Sequence, residues 1–197
     1  PASIARRVPI AAQPASVGRG GKSTGVAVVG CGAFARQFHL PNLKASPQLH
    51  LRAMVASSGQ SAKEMGARYG AEYCTTDLDE ALRDPDIGAT LIFTRDHAHA
   101  RMALASLRAG KHVFCEKPLA TTYEDCRAIE AQLAGGGPIC MTGFNRRFAP
   151  LMRRAKQLLA GRSGPGVFTY RVNAGSLPKD YWIFDPQQAA GRIVGEG

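Results

Sequence analysis

The chain has 197 residues and a hydrophobic content of 45 %, enough for one large domain or one domain and part of another, and too apolar for a disordered chain. No window holds the roughly 18 consecutive apolar residues that a membrane span needs. The net charge of +10 invites a nucleic-acid reading, but aromatics are only 7 %, with neither zinc-finger spacing nor an RNA-binding aromatic signature.

Residues 1–24 carry Pro, Ala, Ser, Gly and Arg without periodicity, and we expect a flexible basic tail or linker there. Pro9, Pro14, Arg19 and Gly20-Gly21 interrupt any secretory apolar core, so cytoplasmic residence is the default expectation. From Val26 onward, strands and helices alternate. Residues 26–29 read as a strand and 33–44 as a helix stopped before Pro47. A second strand follows over 49–56, a helix over 61–69 closed by Gly70, and a short helix over 77–82 ended near Pro85. The apolar "ATLIF" of 89–93 is a strand, 97–109 a helix capped by Gly110, and 112–115 another strand. Thr121 with Glu124 makes a capping box for a helix ending at the glycine run 135–137, and 139–142 is a last short strand. Continuous apolar strands imply a sheet covered on both faces. Repeated βα units specify the α/β class, with a doubly wound parallel sheet of the dinucleotide-binding kind.

After Phe148 the pattern changes. Residues 149–160 read as a basic amphipathic helix with Leu151, Met152, Ala155, Leu158 and Leu159 on one side, and the alternating "GVFTYRVN" of 166–173 as an antiparallel strand. One helix and one strand cannot bury a core of their own, so 148–197 is expected to be the truncated start of an α+β second domain. The first domain then spans 25–147. No acid occurs between Glu130 and Asp180, and the basic residues there read as a solvated face that can attract phosphate. The cysteines 31, 74, 115, 126 and 140 have no metal-clip or CxxC spacing, so we expect reduced thiols and no metal site.

The chemistry concentrates after the first strand, at Gly30-Cys31-Gly32-Ala33-Phe34-Ala35. In a GxGxxA turn Gly30 allows the sharp bend, Gly32 lets the backbone approach a pyrophosphate, and the small Ala35 lets the helix pack close to the strand. Backbone N–H groups at the helix start then face the anion. Taken alone, the motif also suits an ordinary tight βα turn. Two further stretches lie where the carboxyl ends of strands meet a ligand: the polar run 94–100 and Glu116-Lys117-Pro118, from which the Lys117 ammonium projects over the same crevice.

On these residues the sequence resembles the Gfo/Idh/MocA family of nicotinamide-dependent oxidoreductases, over residues 25–197. The resemblance is carried by GCGAFA at 30–35, HLPNL at 39–43, TRDHAHA at 94–100, AGKHVFCEKPLA at 109–120 and GFNRRFAP at 143–150. It implies hydride transfer between NAD(P) and a secondary alcohol of a sugar, cyclitol or nucleotide-sugar. Lys117 would be catalytic, stabilising negative charge on the substrate oxygen. Glu116 would sit by the nicotinamide riboside. Thr94, Arg95 and His97 would line the cofactor, with Arg95 and Asp96 departing from the family's usual Pro-Asn. Asn145 and Arg146 would contact cofactor or substrate. Neither His97 nor His99 is given an acid–base role. The family's acid–base histidine follows a Gly-rich segment like 189–197, so the chain is expected to be a fragment inactive alone, and a homo-oligomer when full length. Some relatives are fused behind an alcohol-dehydrogenase-like domain, a junction that residues 1–24 would suit.

The second strand ends Val55-Ala56-Ser57-Ser58-Gly59, without the acid that usually holds the ribose hydroxyls of NAD. Ser57 and Ser58 suit either cofactor, and Lys63 could attract a 2′-phosphate, so the balance leans to NADP. A dinucleotide-binding regulatory or structural protein is the alternative function. A nucleic-acid module rests on charge alone.

Overall fold

In a computed structural model that describes residues 6–10, 23–173 and 175–196, Thr24–Val29 forms the central strand, β2. Its Val-Ala-Val-Val run is buried on both faces. Ala27 and Val29 join one apolar cluster with Leu107, Val113 and Ile129, while Val26 and Val28 join another with Leu40, Leu43 and Met65. Two cores on two faces explain why this strand is apolar throughout rather than alternating. The other parallel strands are β3 (Leu49–Val55), β4 (Tyr73–Thr75), β5 (Ile87–Ile92), β6 (His112–Cys115) and β7 (Cys140–Thr142). The seven-stranded order is β1-β4-β3-β2-β5-β6-β7, and β1 (Val8–Pro9) alone runs antiparallel. The doubly wound sheet expected of the sequence is therefore present.

The helices between the strands are α1 (Leu40–Ala45), α2 (Gly59–Tyr69), α3 (Leu78–Leu82), α4 (Asp96–Arg108) and α5 (Tyr123–Leu133). A π-helical turn, Ala35–His39, leads into α1. Helix α5 is capped one residue later than expected: Thr122, not Thr121, accepts the Asp125 N–H at 3.1 Å, and Glu124 lies in the first turn. Asp77 caps α3, and Gly70 closes α2 in the left-handed conformation.

Three expectations need correction. First, β4 has only three residues and no periodicity to reveal it. Second, the expected tail contains β1, which pairs Val8 with Cys74 and Pro9 with Tyr73. Arg6 bonds Asp77 at 3.0 Å, the Arg7 guanidinium lies over the Tyr73 ring at 3.8 Å, and Ile10 packs on Gly66. The rest of 1–24 outside 6–10, 23 and 24 lies beyond the described residues. Third, 166–173 forms no strand. Val167 is 98 % exposed and Phe168 73 %, and among the described residues no partner strand lies alongside to complete the backbone hydrogen bonds. The amphipathic helix does form, as α6 (Pro150–Leu159), with no buried residue. A last helix, α7, spans Gly191–Glu196. Among the described residues no helix is long and apolar enough to cross a membrane.

A charge network centred on the buried Asp84 ties the first strands together at the end of the sheet away from the glycine turn. Asp84 accepts from Arg52 Nε at 3.0 Å and from the Asp86 N–H at 3.0 Å, with Arg7 at 3.5 Å. Arg52 also pairs with Glu72 and Asp86. Lys111, within the AGKHV run, is buried and donates to the Asp84 and Ile87 carbonyls, both at 2.8 Å. Burial opposes the Asp84 charge, but the hydrogen bonds outweigh it and hold the carboxyl below its usual range. A lowered folded-state pKa stabilises the fold fully above the unfolded value of roughly 4, and that stability is lost as pH falls through the folded value. Asp84→Asn should cost on the order of 2 kcal/mol at neutral pH and flatten the acid limb of a Tm-against-pH curve. Thermal melts across the acid range check this. Identical acid limbs for the two proteins would contradict it.

Candidate active site

The glycine turn begins where β2 delivers the chain to the carboxyl edge of the sheet. Gly30 has φ +94°, and its N–H donates to the Val55 carbonyl at 2.8 Å. A Cβ on it would lie 2.8 Å from the Phe93 carbonyl oxygen and 2.9 Å from its carbon. Its glycine is demanded by the protein itself. Gly32 differs: a Cβ there meets nothing within 4 Å. Ala33 and Phe34 are exposed beside it, whereas Ala35 is buried against the sheet. The Arg36 N–H closes onto the Gly32 carbonyl at 3.0 Å, starting the helix. Cys31, between the glycines, is half-buried, and burial raises its thiol pKa.

Ser57 and Ser58 stand at the end of β3 along the same edge. Ser58 is already engaged, capping α2 by accepting the Ser61 N–H at 3.4 Å. Ser57 and Lys63 are exposed. Asp77, past the end of neighbouring β4, is engaged elsewhere, accepting from the Asp79 N–H and from Arg6, each at 3.0 Å.

At the end of β5, Phe93 continues the ladder to Val29 at 2.8 Å, and Thr94 sits half-buried. Arg95 turns toward the C-terminal segment, its guanidinium 4.1 Å from the centre of the Trp182 ring. The His97 ring and backbone both contact the Gln188 carbonyl, at 3.2 and 3.4 Å. Their side chains are thus engaged with residues 182–188. His99 is the packed ring: it is buried, with Nδ1 2.6 Å from the Pro118 carbonyl and Nε2 3.1 Å from the Thr94 carbonyl. It ties the loops that follow β5 and β6 to each other. Asp96 is buried as well. Burial pushes its carboxyl above the usual range, against the pull of His99, Lys117 and Arg95.

Glu116 and Lys117 follow β6. Lys117 is exposed, and Glu116 is buried with its backbone N–H on the Ile92 carbonyl at 3.0 Å. Gly143, past β7, donates to the Cys115 carbonyl at 2.8 Å and brings Asn145 to the same region. Asn145 and Arg146 lie in an exposed 3-10 turn, Asn145–Phe148. A cleft of about 330 Å³ joins Phe34, Glu116, Gly143 and Asn145. Phe34 of the glycine turn, Glu116 and Asn145 thus line one cleft, while Ser57, Thr94 and Lys117 stand at or just past the carboxyl ends of β3, β5 and β6, outside its lining. His39 escaped sequence reasoning although it opens the HLPNL run. Its Nε2 lies 2.7 Å from Glu116 Oε1, a partner 77 positions away.

Residues 24–144 match the profile of the oxidoreductase family with an NAD-binding Rossmann fold, Gfo/Idh/MocA. The chain belongs to the Gfo/Idh/MocA family. A 4-carboxy-2-hydroxymuconate-6-semialdehyde dehydrogenase of Sphingobium is 38 % identical over 64 % of this chain and 39 % of its own length. Inositol 2-dehydrogenase 2 of Saccharopolyspora erythraea is 35 % identical over 78 % and 46 %. Among solved structures, a protein of gentamicin A biosynthesis in complex with NAD superposes with TM-score 0.65 at 34 % identity, covering 71 % of this chain and 40 % of that one. A 3-ketoreductase from Actinomadura kijaniata, in complex with TDP-benzene and NADP, gives TM-score 0.65 at 29 % identity over 70 % and 43 %. The chain thus spans less than half the length of these Gfo/Idh/MocA relatives. Among its described residues no group of His, Cys, Asp and Glu could hold a metal ion.

Proposed function

We propose that this chain is the nucleotide-binding part of an NAD(P)-dependent dehydrogenase acting on a secondary alcohol of a sugar, cyclitol or nucleotide-sugar. The observation that carries the reading is the contrast within the glycine turn: Gly30 is filled by protein, while the space over Gly32 is open. A glycine with no steric need of its own fits a backbone that a pyrophosphate must approach. When bound, the nicotinamide would accept or donate the hydride. Cys31, Ala33 and Phe34 would offer backbone N–H groups to the pyrophosphate, and Thr94, Glu116 and Asn145 would flank the nicotinamide end. Lys117 would hold the substrate oxygen and stabilise negative charge on it. Arg95, His97 and Arg146 keep a supporting place in the proposal as cofactor contacts. Relatives that act on inositol and levoglucosan support the substrate class. The division between a dinucleotide unit at 25–147 and a following substrate unit is supported by α6, which buries no residue in the first.

For the adenosine end we retain the lean to NADP, because Ser57 and Lys63 are exposed there. Fluorescence titration of NADPH and NADH into the purified chain tests both readings. Lys63→Ala should weaken NADPH about threefold to tenfold more than NADH, the loss of one exposed charge-assisted contact. Tighter NADH than NADPH binding by the unsubstituted chain would reverse the preference. Binding of neither would sink the site.

A further inference from the structure

We infer that His39 and Gly143 are positioning residues that aim the Glu116 carboxylate at the nicotinamide end of the crevice, an inference that rests on the dinucleotide reading above. Glu116 is only 9 % exposed, and a carboxylate so placed needs donors. It has two. The His39 ring meets Oε1 at 2.7 Å, and the Lys117 N–H donates to Oε2 at 3.2 Å. With the carboxylate ionised, Nε2 carries the proton and donates it. On a third side stands Gly143, where a Cβ would lie 2.9 Å from Oε1 and 3.0 Å from the carboxyl carbon. The carboxylate therefore rests against bare backbone, and any side chain at 143 would push it away.

The donor is itself held. The His39 ring stacks on Phe93 at 4.1 Å and 8°, with Phe34 and Phe114 presenting edges at 5.3 and 5.6 Å. Three aromatic neighbours fix the plane of the imidazole. His39 ends the π-helical turn, in which the Leu40 N–H reaches back five residues to the Ala35 carbonyl. Such single wide turns are found frequently at functional sites. Above the pair opens the cleft of about 330 Å³, walled by Phe34, Phe38, Phe114, Phe144 and Phe148. A fixed acceptor at the base of an aromatic cleft selects a flat ring that carries hydrogen-bond donors. Each carboxylate oxygen keeps a lone pair for such a ligand. His39 does not meet the reacting atoms in this arrangement. It acts through Glu116.

The test compares NADH and NADPH with their counterparts lacking nicotinamide, ADP-ribose and its 2′-phosphate. His39→Ala should weaken the reduced cofactor about tenfold while leaving the ribose-terminated counterpart within about twofold. His39→Gln, which keeps an N–H donor, should recover part of the loss. Gly143→Ala leaves His39 in place and displaces only the carboxylate, so it should show the same selective loss. Melting curves accompany each variant. Equal weakening of cofactor and counterpart would mark His39 as a folding residue and overturn the inference, as would unchanged cofactor affinity in both His39→Ala and Gly143→Ala. Failure of the unsubstituted chain to bind either molecule would instead remove the dinucleotide site, and this inference with it.

Discussion

Gly30→Val should strongly destabilise the fold, whereas Gly32→Val should leave the fold intact and weaken cofactor binding. Gly30 has φ +94°, a conformation that costs an L-residue about 1–2 kcal/mol. Its new Cβ would also sit 2.8 Å from the Phe93 carbonyl oxygen. That carbonyl cannot retreat cheaply, because the Phe93 N–H is tied to Val29 at 2.8 Å, between the two central strands. Strain and clash together should exceed about 4 kcal/mol, a large share of a typical domain's stability. At Gly32 the side chain enters open space, so melting should hardly change. NADPH titration should show at least about a tenfold loss, because the valine occupies the room a pyrophosphate needs. A Gly30→Val protein with an unshifted Tm would contradict the steric account. Unchanged cofactor affinity in Gly32→Val would remove the cradle.

The second large effect concerns Lys117. Lys117→Met in the active enzyme should lower turnover of a secondary-alcohol substrate roughly a hundredfold or more, as expected when one preorganised electrostatic contact to a developing oxyanion is lost. Methionine keeps about the same reach and apolar stem, so packing at the loop survives. Cofactor affinity, set by the turn at Gly30 to Ala35, should stay within about threefold. The two readouts separate a catalytic cation from a binding one. Normal turnover would end the catalytic assignment, and an equal fall in cofactor affinity would make Lys117 a binding residue.

The parts of this protein that could be read from sequence are those whose cause lies within a few residues. Val26 to Val29 announce a buried strand, Gly70 a helix end, and Glu116-Lys117-Pro118 the end of a strand. What escaped depends on partners far along the chain. Tyr73–Thr75 is a strand because β3 lies beside it, and Val8–Pro9 because Tyr73 and Cys74 do. His39 has meaning only with Glu116, and His99 only with the carbonyls of Thr94 and Pro118. The opposite failure is 166–173, where alternation was present and a neighbour to pair with was not. Periodicity measures what a segment is able to do, and the hydrogen-bonding partner decides whether it does so.

The short arm at Val8–Pro9 has a consequence for how the molecule behaves in concentrated solution. An open parallel sheet ends in a row of bare amides and carbonyls, which can recruit a strand from any passing chain. On the β4 side that row is occupied by the arm, which also sets a proline, Pro9, at the outermost position and flanks it with Arg6 and Arg7. A proline offers no amide to a newcomer, so a further strand finds no donor at that position. Edge-on addition of a further strand is therefore disfavoured on that side. What looks in the sequence like a dispensable leader works as a selvedge, finishing the woven edge so that it does not take on further threads.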